Sequence, residues 1–357
     1  MTANVVEPVH PWNAAKTKAL IRDRARFPHA LLFGGQKGLG KNTLATWLAQ
    51  YLLCVQAANA GQACGQCQNC RLFIAASHPD MHVVQPEAIY KASDNLLAQY
   101  AQRYAPADKS KDSKDSTVIR IDQIRSLIDN VQTRPQIAAC KLMVLSPADS
   151  MNVNAANSLL KLLEEPPSDS YLLLIADRPA RLPATIRSRC ARIDIPIPPS
   201  ASALVWLGAQ GRAEQEARLL LDLAGGAPLA AQALAQSDFL PERATLLDDM
   251  EKLAGGQGDP LACATRWKSL GAERCLLWLQ GFLSDVINTH MQAVPEHLHN
   301  PDSQSRLQAL EKRLDLKQLF HFADGVARGR ALLGGPLDEQ LMLEDTLIRW
   351  TKVTLNP

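Results

Sequence analysis

The stretch Ala30-Leu-Leu-Phe-Gly-Gly-Gln-Lys-Gly-Leu-Gly-Lys41-Asn42 joins a short apolar run to a glycine-rich turn and then to the first residues of a helical pattern. Apolar residues in unbroken succession, bounded by glycine, predict a buried strand, and Gly34 to Gly40 predict a tight turn. Beyond it Leu44, Trp47, Leu48, Tyr51 and Leu52 recur at the spacing of one helix face. Gly35, Gly38, Gly40 and Lys41 fit the P-loop pattern in the strand-to-helix context that the pattern requires. Glycines there let backbone N–H groups turn inward around a phosphate at the helix N-terminus, while the lysine reaches the β- and γ-phosphates. Binding of ATP or ADP is therefore physically open to this segment; the alternative is a glycine-rich turn with no ligand.

Further short apolar runs follow at His82 to Val84, Leu142 to Leu145, Tyr171 to Ala176 and Ile193 to Ile195, with helical patterns between most of them. Strands alternating with helices predict an α/β domain whose parallel sheet is covered on both faces. After the proline-rich Pro196 to Ser200 the strand signals all but vanish, and leucine- and alanine-rich helical patterns run to the end, which predicts a domain boundary near residue 200. In that tail Leu276, Leu279, Leu283 and Val286 form one apolar stripe and Leu307, Leu310 and Leu314 another, punctuated by Gly255-Gly256 and Gly334-Gly335-Pro336. A chain of 357 residues is long for one core, in keeping with two or three domains.

The groups that make a P-loop hydrolytic are missing. Its last position normally carries the Ser or Thr hydroxyl that helps hold Mg²⁺; here it is Asn42, with Thr43 one residue too late. The strand that completes such a site normally ends in Asp-Glu, for metal support and water activation. Lys141-Leu-Met-Val-Leu145 continues instead as Ser146-Pro147-Ala148-Asp149. Asp149 lies three residues beyond the required position and is expected to cap the following helix. Phosphoryl transfer is almost entirely positioning and charge stabilisation, so little hydrolysis in cis is expected.

Cys54, Cys64, Cys67 and Cys70 fall within seventeen residues, with Gly61, Gly65 and Asn69 supplying turns. Four thiolates at this spacing suit a closed, structural Zn²⁺ centre; an iron–sulfur cluster and a redox-active Cys-x-x-Cys are the alternatives. Cys140, Cys263 and Cys275 stand in apolar surroundings and read as buried small hydrophobes.

The formal charge of +2 argues against strong nucleic-acid binding through one basic face. No apolar run is long enough to span a bilayer, and residues 1–10 carry no secretory signal, so a cytoplasmic address is expected. Asp108 to Ser116, three lysines, three aspartates and three serines, predicts a surface loop.

Taken together, His29 to Lys41, the four-cysteine insert, His78-Pro-Asp80, Ile121-Asp-Gln-Ile-Arg125, Asn154-Ala-Ala-Asn-Ser-Leu-Leu-Lys-Leu-Leu-Glu-Glu-Pro-Pro167 and Ser188-Arg-Cys190 resemble the AAA+ clamp-loader subunits of bacterial DNA polymerase III. The resemblance implies an AAA+ domain over 1–199, built on a parallel five-stranded sheet with a four-cysteine zinc module at about 54–75. A helical lid over 200–243 and an all-α collar over 244–357 complete the implied organisation. Within that family the ATP-hydrolysing tau and gamma subunits keep the magnesium hydroxyl and the Asp-Glu pair. A non-hydrolysing subunit tends to lose them, and this sequence resembles the latter. Leu229 stands about where the hydrolysing subunits present an arginine to their own nucleotide. Arg189, within the intact Ser188-Arg189-Cys190, is implied to be a finger acting on a neighbouring subunit's nucleotide; from spacing alone it would be a solvated loop arginine. The implied role is a non-catalytic part of the DNA polymerase III holoenzyme, a DNA-directed DNA polymerase and nucleotidyltransferase. Its implied partners are tau/gamma, delta, the sliding clamp and primed DNA. Two other functions compete: an autonomous ATPase of the tau/gamma kind, opposed by Asn42, Ser146 and Pro147, and a zinc-dependent nucleic-acid-binding module. The module is opposed by Arg71 being the lone positive side chain among residues 54–75.

Overall fold

The computed structural model describes residues 6–22, 27–57, 61–106, 115–291, 298–312, 314–333 and 337–355. The chain splits into two units, Met1–Pro198 and Pro199–Pro357.

In the first unit the strands are β1 (Ala30–Gly34), β2 (Met81–Val84), β3 (Lys141–Leu145), β4 (Ser170–Ala176) and β5 (Ala191–Asp194). The helices that matter to the site are α1 (Lys41–Leu53), α2 (Gln68–Ile74), α3 (Ile121–Val131) and α4 (Val153–Glu164). All strand pairs are parallel, in the order β2-β3-β4-β1-β5, and each predicted strand lies within two residues of its observed ends. The apolar runs Ala30 to Phe33 of β1 and Leu142 to Leu145 of β3 follow from this order: both strands are buried along their whole length, as strands covered on two faces must be. Ile124, Leu127 and Val131 of α3 and Ala155, Leu159, Leu162 and Leu163 of α4 seal one face of the sheet. The Asn152 side chain starts α4 by accepting the Ala155 N–H at 2.8 Å.

The β2 edge is held by a buried polar cluster. Asp80, fully buried, accepts the backbone N–H groups of Gln136, Ile137 and Ala138 at 2.6, 2.9 and 2.9 Å, and these lower its pKa against the opposing effect of burial. His82 Nδ1 meets the Tyr104 hydroxyl at 2.6 Å, and burial lowers the imidazole from 6.5 to about 4. The unfolded chain therefore takes up a proton below pH 6.5 that the folded chain refuses until about pH 4, so stability falls as pH drops through that window. The loss from this residue is on the order of 3 kcal/mol; His78, also lowered by burial, acts in the same sense. Urea unfolding at pH 7 and pH 4.5 checks this, and His82→Gln, which keeps a partner for Tyr104 without titrating in that range, is expected to flatten the slope.

Asp108 to Ser116 lies outside the described residues except Asp115, an ion-pair partner of Lys91 at 2.8 Å, and Ser116.

The second unit has α5 (Ser200–Ala209), α6 (Glu214–Leu223), α7 (Pro228–Ala235), α8 (Phe239–Ala254), α9 (Pro260–Leu270), α10 (Ala272–Met291), α11 (Gln304–Glu311), α12 (Leu316–Leu332) and α13 (Glu339–Leu355). Two apolar clusters form: a small one from Ala203 to Ala231, and a large one from Phe239 to Trp350 built around Trp267, Trp278, Phe282 and Trp350. The stripe Leu276, Leu279, Leu283 and Val286 faces this larger core. Leu307 and Leu310 do the same, but α11 ends at Glu311 and Leu314 reaches the core from beyond the helix. Gly334-Gly335-Pro336 lies outside the described residues. Buried Asp285 accepts the backbone N–H groups of His299 and Asn300, both at 2.7 Å, and Asn300 in turn accepts from Arg243 and Trp278, tying the segment before α11 to α8 and α10.

Candidate functional site

The C-terminal ends of β1, β3 and β4 converge on the glycine loop. Gly35 (φ 151°) runs so close to the β5 exit that a Cβ would lie 2.5 Å from the Ile195 carbonyl oxygen. Gly40 is left-handed (φ 80°), and a Cβ there would meet the His10 ring at 2.5 Å. Trp12 Nε1 and Asn13 Nδ2 both donate to the Leu39 carbonyl, at 3.0 and 2.9 Å, so residues 10–13 lie against the loop.

Lys41, the first residue of α1, is almost completely buried. Its ammonium donates to the carbonyls of Gly35 (2.6 Å) and Gln36 (2.7 Å) and pairs with the Asp177 carboxylate (2.7 Å). Asp177 follows directly on β4, which lies beside β1. No local pattern marked it.

At the magnesium position the Asn42 amide oxygen accepts the Ser146 hydroxyl at 2.8 Å, linking the loop to the end of β3. The Thr43 hydroxyl is turned away toward Glu7, 3.4 Å distant. Asp149 lies in a short 3-10 helix, Ala148–Ser150. The expectation that it caps the next helix is corrected: Asn152 does that, and Asp149 accepts the N–H groups of Asp177 (3.1 Å) and Arg178 (2.9 Å). Its carboxylate is spent on the turn after β4.

Cys54, at the end of α1, Cys64, and Cys67 and Cys70 at the start of α2 bring their four sulfurs within 4.8 Å of one another. Separations of 3.6, 3.9 and 4.0 Å (Cys54–Cys64, Cys54–Cys67, Cys64–Cys70) bracket the ~3.8 Å edge of a tetrahedron with ~2.3 Å metal–sulfur bonds. Backbone N–H groups of Cys64, Cys67 and Cys70 point at the sulfurs of Cys54, Cys64 and Cys67. Donors of this kind stabilise thiolates, and those from Gln66 and Cys67 lower the Cys64 thiol to about 6, whereas burial raises that of Cys70. The cluster is able to bind a metal ion, and four sulfurs leave no open position for chemistry at it. Cys140, Cys263 and Cys275 are buried, as expected of small hydrophobes.

Arg189 is 38 % exposed; it pairs with Glu164 at the end of α4 (2.8 Å) and donates to the Thr185 carbonyl (3.0 Å). Ser188 donates to the same carbonyl at 3.1 Å. Cys190 is turned toward the core, and burial pushes its thiol up to about 11. In the parallel register Ala191 lies opposite Leu31, so Arg189 stands at the N-terminal end of the sheet and Lys41 at the C-terminal end. At ~3.3 Å per residue that is about 15 Å, beyond the reach of an arginine side chain. Leu229, at the second position of α7, is partly buried.

The fold and loop thus define a P-loop module of the α/β type in which the positions for magnesium and water activation carry neither the metal-binding hydroxyl of the loop nor the carboxylates of the strand end. The family described as DNA polymerase III, delta subunit, matches residues 14–199, and its C-terminal counterpart matches 237–352. The DNA polymerase III subunit delta' of Pseudomonas aeruginosa is 33% identical over 350 residues, covering 97% of this chain and 98% of that protein. That of Escherichia coli is 29% identical, covering 95% and 94%. A gamma subunit-related protein of DNA polymerase III from Thermotoga maritima, of known structure, superposes with a TM-score of 0.39 at 17% identity, covering 95% and 99% of the two chains. The chain belongs to the delta' family of DNA polymerase III subunits.

Proposed function

We propose that this chain is the non-hydrolysing member of a clamp-loading ring, holding its place beside tau/gamma and delta subunits while the ring loads the sliding clamp onto primed DNA in the bacterial cytoplasm. The observation that carries the proposal is the division of parts across the sheet. One end has a P-loop whose Asn42 and Ser146 bond to each other, and the other end presents Arg189 where its own loop is out of reach. An arginine so placed serves a nucleotide held by a neighbour, where its guanidinium neutralises charge on the γ-phosphate. Glu164 and the Thr185 carbonyl hold it ready at the surface. The four cysteines carry a structural Zn²⁺ that shapes the insert between α1 and β2. Residues 200–243 serve as the lid, and 244–357, with their own aromatic core, as the collar that joins the ring. The chain works within the polymerase holoenzyme without catalysing a reaction of its own.

Reconstitution tests this. The purified chain is expected to turn over ATP at background rate and to be required for full clamp-stimulated ATPase when added to tau/gamma and delta subunits. Turnover by the isolated chain that Lys41→Ala abolishes would instead identify an autonomous ATPase.

A further inference from the structure

We propose that Asp177 is an internal counter-anion standing in the phosphate position of the loop, so that the chain takes up no nucleoside triphosphate while that carboxylate is present. The inference rests on reading the loop as non-hydrolysing and extends it from chemistry to binding. An ammonium has three N–H donors. Two of those on Lys41 go to the carbonyls of Gly35 and Gln36, which fix its position inside the loop. The third is the one left for a β- or γ-phosphate, and it is spent on Asp177 at 2.7 Å.

The backbone turn that carries the carboxylate is held from two sides. Asp149 accepts the N–H groups of Asp177 and Arg178, so the turn after β4 is tied to the end of β3. Pro179, next in that turn, packs so tightly on Gly34 that a Cβ at Gly34 would lie 2.7 Å from its Cγ. Asp177 therefore sits on a braced turn. A γ-phosphate approaching Lys41 meets a fixed charge of its own sign at contact distance and loses the cation that would have bound it. Asn42 and Ser146 close the neighbouring magnesium position in the same manner, with a neutral pair. The loop keeps the geometry of a phosphate cradle with the phosphate replaced by the protein's own carboxylate.

Titration of the isolated full chain with a fluorescent ATP analogue and Mg²⁺ tests this. The wild type is expected to show no saturation over a concentration range in which Asp177→Asn, which keeps the shape and removes the charge, saturates, a gain of roughly tenfold or more. Adding Lys41→Ala to Asp177→Asn is expected to abolish the gain. Wild-type binding equal to that of Asp177→Asn, no gain in the variant, or a gain that survives Lys41→Ala each overturns the inference. Thermal melts check folding, and Asp177→Thr provides a second neutral variant if Asp177→Asn is unstable. Failure here leaves the assembly assay unaffected, because that assay asks whether the wild-type chain joins the ring; failure to join would overturn the proposed function and leave the titration standing.

Discussion

Arg189→Ala is expected to cut the clamp- and DNA-stimulated ATPase of the nucleotide site that this chain faces by at least about a hundredfold. Arginine fingers contribute ~10³ to 10⁵ in rate where they are measured alone. The cause is geometric. Two guanidinium N–H groups can bridge oxygens of the transferring phosphoryl group as charge builds there, and alanine leaves that charge unpaired. Stability should hardly change, since the bond to Glu164 that is lost joins two solvent-exposed side chains. Assembly and melting temperature therefore act as controls. Arg189→Lys, which keeps the charge without the planar fork, is expected to recover only part of the rate. Normal stimulated ATPase in a fully assembled Arg189→Ala complex would remove the arginine from the mechanism.

Loss of the metal is expected to have the second-largest effect, confined to the insert. Among the described residues of 55–66, between α1 and α2, only Ala57 joins the core, and with the metal gone the ordering of this segment is no longer offset. Binding to four thiolates stabilises small zinc modules by ~10 kcal/mol or more at neutral pH. Chelation, or Cys67→Ser, should raise the rate of limited proteolysis within the insert at least about a hundredfold while the sheet stays folded. Wild-type protein is expected to contain one zinc per chain. Iron with visible absorption, or a titratable disulfide in its place, would transfer the cluster to redox chemistry.

The parallel sheet was legible because β1, β3 and β4 carry the continuous apolar runs Ala30 to Phe33, Leu142 to Leu145 and Tyr171 to Ala176, as strands buried on both faces do. The cysteine centre was legible because its four ligands lie close along the chain, two of them flanking a single turn. The lost hydrolytic groups were legible as well, since Asn42 and Ser146 occupy fixed places relative to a loop and a strand end. What local pattern could not reach was the use these residues make of each other. Ser146 bonds to Asn42 across 104 residues, and Asp149, expected at a helix cap, instead braces the turn that carries Asp177.

Composition and spacing along the chain therefore established a P-loop module stripped of its hydrolytic groups, a four-thiolate centre and a helical C-terminal half. These follow from burial periodicity and from ligand types, both of which are properties of neighbouring residues. Strand order decided the rest. Placing β4 beside β1 brings Asp177 onto Lys41, and placing β5 on the other side of β1 sets Arg189 at the far end of the sheet from that lysine. Strand adjacency is chosen by packing of the whole sheet and is encoded in no single segment. For that reason the carboxylate that fills the cradle, and the side of the molecule on which the arginine can act, emerge only in the tertiary structure.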